Sequence, residues 1–344
     1  MFRTPYQKIT TSLFLLLTFA SGLAQALPYS SLVVFGDSLA DSGNNAVVID
    51  TQIAPPGTPP GTLRTPTPII SPAFIPTFPY ESNRYSNGPV WVEQFAAKLG
   101  LSVLPSVLGG TNYAFGGART GPSGSSFPFS LTDQVQLFLG DSGGSAAGEA
   151  LYVVAGGGNN ARDAVQVAAD GGDPTAIIEA YVNDIATMLT QLSGAGAKNI
   201  LLVNVPNIGL TPAIQTISPA GAAGATAIAA GMNAALNGVL TGLLPALSSD
   251  VKVFDFFTAF TQVVAAPGAF GLTDVTSSCA FSPACIANPE TTLFWDGIHP
   301  TTAGHSLVAS AAFAVVIPEP SSLALFIIFA LGLVTRRFTK RSVT

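Results

Sequence analysis

The sequence predicts an α/β fold with a central parallel sheet and helices on both of its faces. Short apolar runs recur at 32–35, 151–154, 200–205 and 251–256, and such runs are typical of strands buried on both sides. Segments with helical spacing of apolar residues lie between them, and this alternation implies parallel strands joined by crossovers. Two of the runs break into glycine turns, Gly36-Asp37-Ser38 and Gly156-Gly157-Gly158-Asn159. Open α/β sheets place ligand sites at such strand ends.

Residues 1–26 read as an export signal. Arg3 and Lys8 give a positive start, 13–20 an apolar core, and Ala24-Gln25-Ala26 a small-x-small cleavage site. That core is too short to span a bilayer, and a buried core helix is the alternative. Residues 27–316 are long enough for one large domain. Apolar residues make up 48% of the chain and charged ones 9%, the composition of a folded protein with a weakly charged surface. Without the flanking Arg3, Lys8, Glu319, Arg336, Arg337, Lys340 and Arg341, 7 basic residues face 18 acidic ones, a net charge of −11. Such a surface repels phosphate backbones and argues against nucleic acid as a partner.

The first strand delivers Ser38 to an exposed turn. Serine is a poor nucleophile unless a base and an anion-stabilising site meet it; the plainer reading is a turn in which Asp37 or Ser38 caps the next helix. Residues 50–80 carry nine prolines and read as an extended loop insertion, either a lid over the site or an inert excursion. Residues 90–99 have helical spacing and end at Gly100, a C-cap residue. The glycine turn at 156–159 lacks the spacing of a dinucleotide-binding loop. Residues 173–192 read as an amphipathic helix with Ile178, Tyr181, Ile185, Met188, Leu189 and Leu192 facing the core, and 213–248 as one alanine-rich helix.

The decisive stretch is Asp296-Gly297-Ile298-His299, three residues from acid to base. On a turn the carboxylate reaches the imidazole, orients it and stabilises its protonated form. His305, the second of two histidines, reads as structural or solvated. With two histidines and two cysteines a zinc site is poorly supplied, and no metal or cofactor is expected. Cys279 and Cys285, six apart, point in an exported chain to a disulfide that tightens the loop before the histidine; two buried thiols are the alternative.

Four blocks in order resemble the GDSL (SGNH-type) lipase/esterase family: Phe35-Gly36-Asp37-Ser38, the 110–118 stretch, Tyr152 to Asn160, and Asp296 to His299. The linking stretches 84–88 with Trp91, and 204–209, fit as well. The resemblance implies a three-layer α/β/α sandwich of SGNH-hydrolase and flavodoxin-like type. It implies a catalytic Ser38, Asp296 and His299, and an oxyanion hole made by Ser38, Gly116 and Asn159. The chain departs from the family at Asn160, usually Asp, and at Ala155, often Trp.

Residues 317–344 resemble a PEP-CTERM sorting tail: Ile317-Pro318-Glu319-Pro320, an apolar run over 323–334, then a basic cluster. In other bacterial proteins an exosortase-type enzyme reads and removes such a tail; an ordinary membrane anchor is the alternative. Either places the catalytic domain outside the inner membrane, and the resemblance further implies a Gram-negative bacterium, with the domain in periplasm, at the surface or in matrix. The combined expectation is an exported serine esterase or lipase acting on a lipid, small ester or acetylated polysaccharide. The alternatives are a polysaccharide O-deacetylase of the matrix and a non-catalytic matrix-binding protein.

Overall fold

The computed structural model describes residues 29–49, 83–122 and 127–317. The segment expected to be an export signal, the proline-rich stretch and the tail beyond Ile317 lie outside the described residues.

Four parallel strands form the sheet in the order β1 (Leu32–Gly36), β2 (Leu151–Ala155), β3 (Asn199–Val203) and β4 (Asp250–Phe254). Their registers are regular: Leu32 pairs with Leu151, Leu151 with Asn199, and Asn199 with Asp250. Residues 111–115 run along the free edge of β1. The Val34 N–H donates to the Thr111 carbonyl, and the Tyr113 and Phe115 N–H groups donate to the Val34 and Gly36 carbonyls. The chain therefore leaves β1 toward one edge and returns on the other side as β2. A sheet that reverses direction in this way opens a crevice beyond the carboxyl ends of its strands.

Because side chains alternate along a strand, the sheet feeds two cores. Leu32, Val34, Leu151, Val153, Leu201 and Val203 pack with α2 (Trp91–Lys98), α7 (Phe256–Ala265) and α8 (Thr302–Val316). Val33, Phe35, Tyr152, Val154, Ile200 and Leu202 pack with α3 (Leu131–Asp141), α5 (Thr175–Ala195) and α6 (Pro219–Leu243), with Ala161 of α4 (Gly158–Ala169) among them. Two cores on opposite faces of one parallel sheet are the three-layer α/β/α sandwich. A short helix α1 (Asn44–Val48) follows the turn after β1.

The single helix expected over 213–248 is divided. Pro212–Gln215 forms one turn, the chain breaks, and Ser218 starts α6 afresh by accepting the Gly221 N–H, with Pro219 in the first helical position. Residues 219–246 are long and apolar enough to cross a membrane by length and composition. In the fold Ala225, Ala229, Met232, Leu236 and Leu240 pack into the second core. A satellite pair of parallel strands, β5 (Asp274–Ser278) and β6 (Thr292–Phe294), leads into the acid–histidine turn.

One buried glutamine finishes the end of β1. Gln134 of α3 accepts the Gly36 N–H at 2.8 Å and donates to the Gly36 carbonyl at 2.9 Å, replacing the ladder where the strand breaks into its turn. Substituting Gln134→Ala orphans the Gly36 N–H, since the carbonyl keeps the Phe115 amide. A loss of about 1–3 kcal/mol in unfolding free energy is expected, read by urea titration.

Candidate active site

Asp296 and His299 assemble within one turn. One Asp296 oxygen accepts the N–H groups of Ile298 and His299 at 2.8 and 2.7 Å, which folds the turn back on itself. The other meets His299 Nδ1 at 2.7 Å. Burial pushes the Asp296 carboxyl up, but the attraction and hydrogen bond of His299, with the two backbone N–H groups, outweigh it and hold it below its ordinary value. The far nitrogen, His299 Nε2, lies 2.8 Å from Ser38 Oγ across 261 residues of sequence. Serine, histidine and aspartate thus form one continuous hydrogen-bonded line. Tyr85 lies against the histidine ring, their centroids 5.2 Å apart.

The Ser38 turn is held by residues that the motif reading did not single out. Asp41, fully buried, accepts the N–H groups of Gly43 and Asn44 on one oxygen and those of Asn45 and Gly116 on the other. Asn112 donates to the Ala40 carbonyl and the Ser42 hydroxyl. Asn44 donates to the carbonyls of Asn112 and Ala114, and Asn45 to the Tyr85 hydroxyl and the Gly116 carbonyl. The turn after β1 and the edge segment 111–117 are tied into one largely buried polar unit.

This unit corrects the expectation for Gly116. Its N–H donates to Asp41 at 2.9 Å, so it does not face an oxyanion. Its Cα lies so close to the Tyr85 ring that a β-carbon would overlap it, which accounts for the glycine by packing. The next residue, Gly117, has a left-handed φ of 81°, and its N–H has no partner among the described residues. The adjoining Ala118 carbonyl accepts the Asn159 side-chain amide at 3.0 Å, which leaves that amide one further proton. Asn159, at the start of α4, lines the same cleft as Ser38 and His299. Asn160 points elsewhere: it accepts the Thr120 N–H and donates to the Thr120 hydroxyl, which itself donates to Asp184. An aspartate there could only accept, so this chain's hydrogen-bond pattern calls for asparagine.

The cleft, about 60 Å³, is walled by Ile208, Ile214, Phe256, Phe260 and Ile298, with Arg162 on one side. Burial pulls the Arg162 guanidinium down from its ordinary value. His305 is buried rather than solvated; burial, then the neighbouring His299, push it down to about 3, so it is neutral. Cys279 and Cys285 form a disulfide in the loop between β5 and β6. The plainer reading, in which Asp37 or Ser38 caps a helix, does not describe the turn: Asp41 takes the first amides of α1, while Asp37 accepts the Leu39 N–H at 3.1 Å. Among the described residues no group of three or more His, Cys, Asp or Glu is placed to hold a metal ion. Gln134 was detectable in the sequence, since it shares a helical face with Leu131, Val135 and Phe138. Asp41 was not, because nothing local says that four amides converge on it.

With this geometry in view, the comparisons are specific. A family model described as GDSL-like Lipase/Acylhydrolase matches residues 32–312. The chain is 25% identical to the phosphatidylcholine-sterol acyltransferase of Aeromonas hydrophila over 83% of its own length and 89% of that protein. It is 22% identical to a GDSL esterase/lipase of Arabidopsis thaliana over 80% of its length and 83% of the relative. It is 28% identical to Lipase 1 of Photorhabdus luminescens over 57% of its length but spans only 25% of that longer protein.

Burial pushes the Asp37 carboxyl up to about 6, against the Leu39 N–H and the charge of His299. A carboxyl raised on folding binds its proton more tightly in the folded chain. Its contribution is fully present below the ordinary carboxylate range and is lost as pH rises through about 6. Melting temperatures measured from about pH 4 to 7 should therefore slope less in Asp37→Asn than in the parent chain. Parallel slopes would show that Asp37 does not titrate there.

Proposed function

The chain belongs to the GDSL-like lipase/acylhydrolase family and is a carboxylic ester hydrolase, and from that premise we propose that Ser38 is its nucleophile, His299 its base and Asp296 the carboxylate that orients the base. The observation that carries this is the unbroken line from Ser38 Oγ through His299 to Asp296, at 2.8 and 2.7 Å, opening on an apolar cleft. Ser38 Oγ attacks the ester carbonyl while His299 Nε2 takes its proton; the ionised Asp296 fixes the tautomer and steadies the imidazolium. The oxyanion is met by the Ser38 N–H, the second proton of the Asn159 amide and the Gly117 N–H in place of that of Gly116. Protonated His299 then hands its proton to the leaving alcohol. Water, deprotonated by the same ring, releases the acid and restores the serine.

A lipid ester is the substrate this reading favours, because the cleft walls beside Ser38 are apolar. Relatives named as a lipase and as a phosphatidylcholine-sterol acyltransferase agree with that choice. Export through residues 1–26 and processing of the 317–344 tail by an exosortase-type enzyme belong to the same proposal and rest on the sequence alone. A matrix polysaccharide deacetylase would act on acetyl esters, which gain little from apolar walls.

The test is hydrolysis of p-nitrophenyl acetate, butyrate and palmitate by the chain and three variants. Ser38→Ala should abolish turnover on every ester. Asn159→Ala should lower kcat by about 10²–10³, the usual cost of one oxyanion donor. Asn160→Ala should act on stability, by about 1–3 kcal/mol, because it strips a buried partner from Thr120. Full activity in Ser38→Ala, or equal losses of kcat at both asparagines, would overturn these assignments.

A further inference from the structure

Behind the cleft lies a second, larger apolar space that the chemistry at Ser38 does not use. It occupies about 270 Å³ between α7 and α8 and is floored by Leu293. Among the described residues its polar lining side chains are Gln262 and Ser310, both exposed. Phe270, 37% exposed, lies on the same margin. The cleft at Ser38 and this cavity share Phe256, Phe260 and Pro300. The two phenylalanine rings meet edge-on at 5.9 Å, both nearly buried, and each lines both spaces.

We propose that this cavity receives the acyl chain of the substrate, with Phe256, Phe260 and Pro300 as the threshold between it and Ser38. The inference rests on Ser38 as the acyl-accepting serine. An acyl group bonded to Ser38 must leave along the walls of its cleft, and the apolar continuation is the space behind the phenylalanines. The 60 Å³ cleft alone suits a short acyl group. The larger space exceeds the cavity of about 150 Å³ that admits benzene in another protein. Each methylene drawn from water favours binding by roughly fourfold, so a chain long enough to cross the threshold gains steeply. The substrate class is thus an ester of a medium-chain or longer fatty acid.

Two substitutions narrow the cavity from α8, Val308→Trp and Ala311→Phe, and both keep the helix. The intact chain is compared with each by circular dichroism and by kcat/KM for p-nitrophenyl decanoate and acetate. Dodecanoate binding is measured calorimetrically in the Ser38→Ala background. The decanoate-to-acetate ratio should fall at least tenfold in either folded variant, and dodecanoate affinity should fall by a similar factor. Phe260→Ala, which removes the threshold, should move the ratio in the opposite direction. Unchanged ratio and affinity in a folded cavity-filling variant, or no dodecanoate binding to the intact Ser38→Ala chain, would overturn the inference. Dodecanoate bound and displaced by the fillings, in a chain that cleaves no ester, would uphold the cavity's role and overturn the hydrolytic reading instead.

Discussion

The Asp41 carboxylate is the constraint on which the site depends. It is fully buried and takes four backbone N–H groups, from Gly43, Asn44, Asn45 and Gly116. Burial pushes the group up to about 6 while the four amides pull against it. Three of those amides open α1, a helix of five residues that is far too short to hold its own first turn. The fourth belongs to the segment along the edge of β1. One side chain therefore fixes the loop leaving Ser38 to the loop that approaches it from the sheet edge. The asparagines at 44, 45 and 112 repeat the tie with their own side chains. A network of this kind is stable only when complete, because each buried amide left open costs its desolvation.

The same constraint explains which parts of the molecule were legible in the sequence. Strands and helices were, because periodicity reports burial directly: the apolar runs at 32–35 and 151–154 are β1 and β2, and the residues expected to face the core from 173–192 lie in α5. The acid–histidine turn was legible because its hydrogen bonds span three residues. Gly116 was misread because a glycine shows that backbone comes close to something, without showing what. Here the neighbours are the Tyr85 ring and the Asp41 carboxylate, both supplied by distant segments. The break at Thr216 to Ser218 was hidden by the alanine- and glycine-rich run that follows it, and only the Ser218-Pro219 pair marks a new start. The phenylalanine threshold needs α7 set beside β6 and α8, which no local pattern encodes.

Charge is concentrated where it is neutralised. Among the described residues, the ionised group hydrogen-bonded to His299 is Asp296, held below its ordinary value in a fully buried site. His305, in the first turn of α8, is kept neutral by burial and lays no second positive charge against His299. An apolar cleft beside such a line makes each hydrogen bond in it stronger than it would be in water. It also leaves an ester carbonyl fewer competing waters. The same wall that gives an acyl chain its path therefore serves the chemistry.

The Ser38–His299 distance is set by residues distant from both in sequence. The base and its acid are built as a unit on the satellite strands, whose register with each other is irregular and which do not join the main sheet. Nothing in that unit by itself brings His299 within 2.8 Å of Ser38. The Ala213 N–H donates to the Gly297 carbonyl at 2.9 Å, and the rest of the docking falls largely to residues 84–94. Tyr85 lies on the histidine ring, the Ser86 hydroxyl donates to the Pro300 carbonyl, and Asn87 accepts the Thr302 N–H. Gln94 of α2 donates to the Thr302 carbonyl, and the Thr302 hydroxyl donates to Pro89. Gly88 sits so close to Thr302 that a β-carbon would come within 3.0 Å of it. The Arg84–Glu93 pair, 2.6 Å apart, braces this stretch against the start of α2. The Arg84-Tyr85-Ser86-Asn87-Gly88 run thus has a physical meaning that its residue types alone do not disclose. It is the surface against which the histidine turn is seated, so the alignment of base and nucleophile is a property of this docking rather than of either catalytic block.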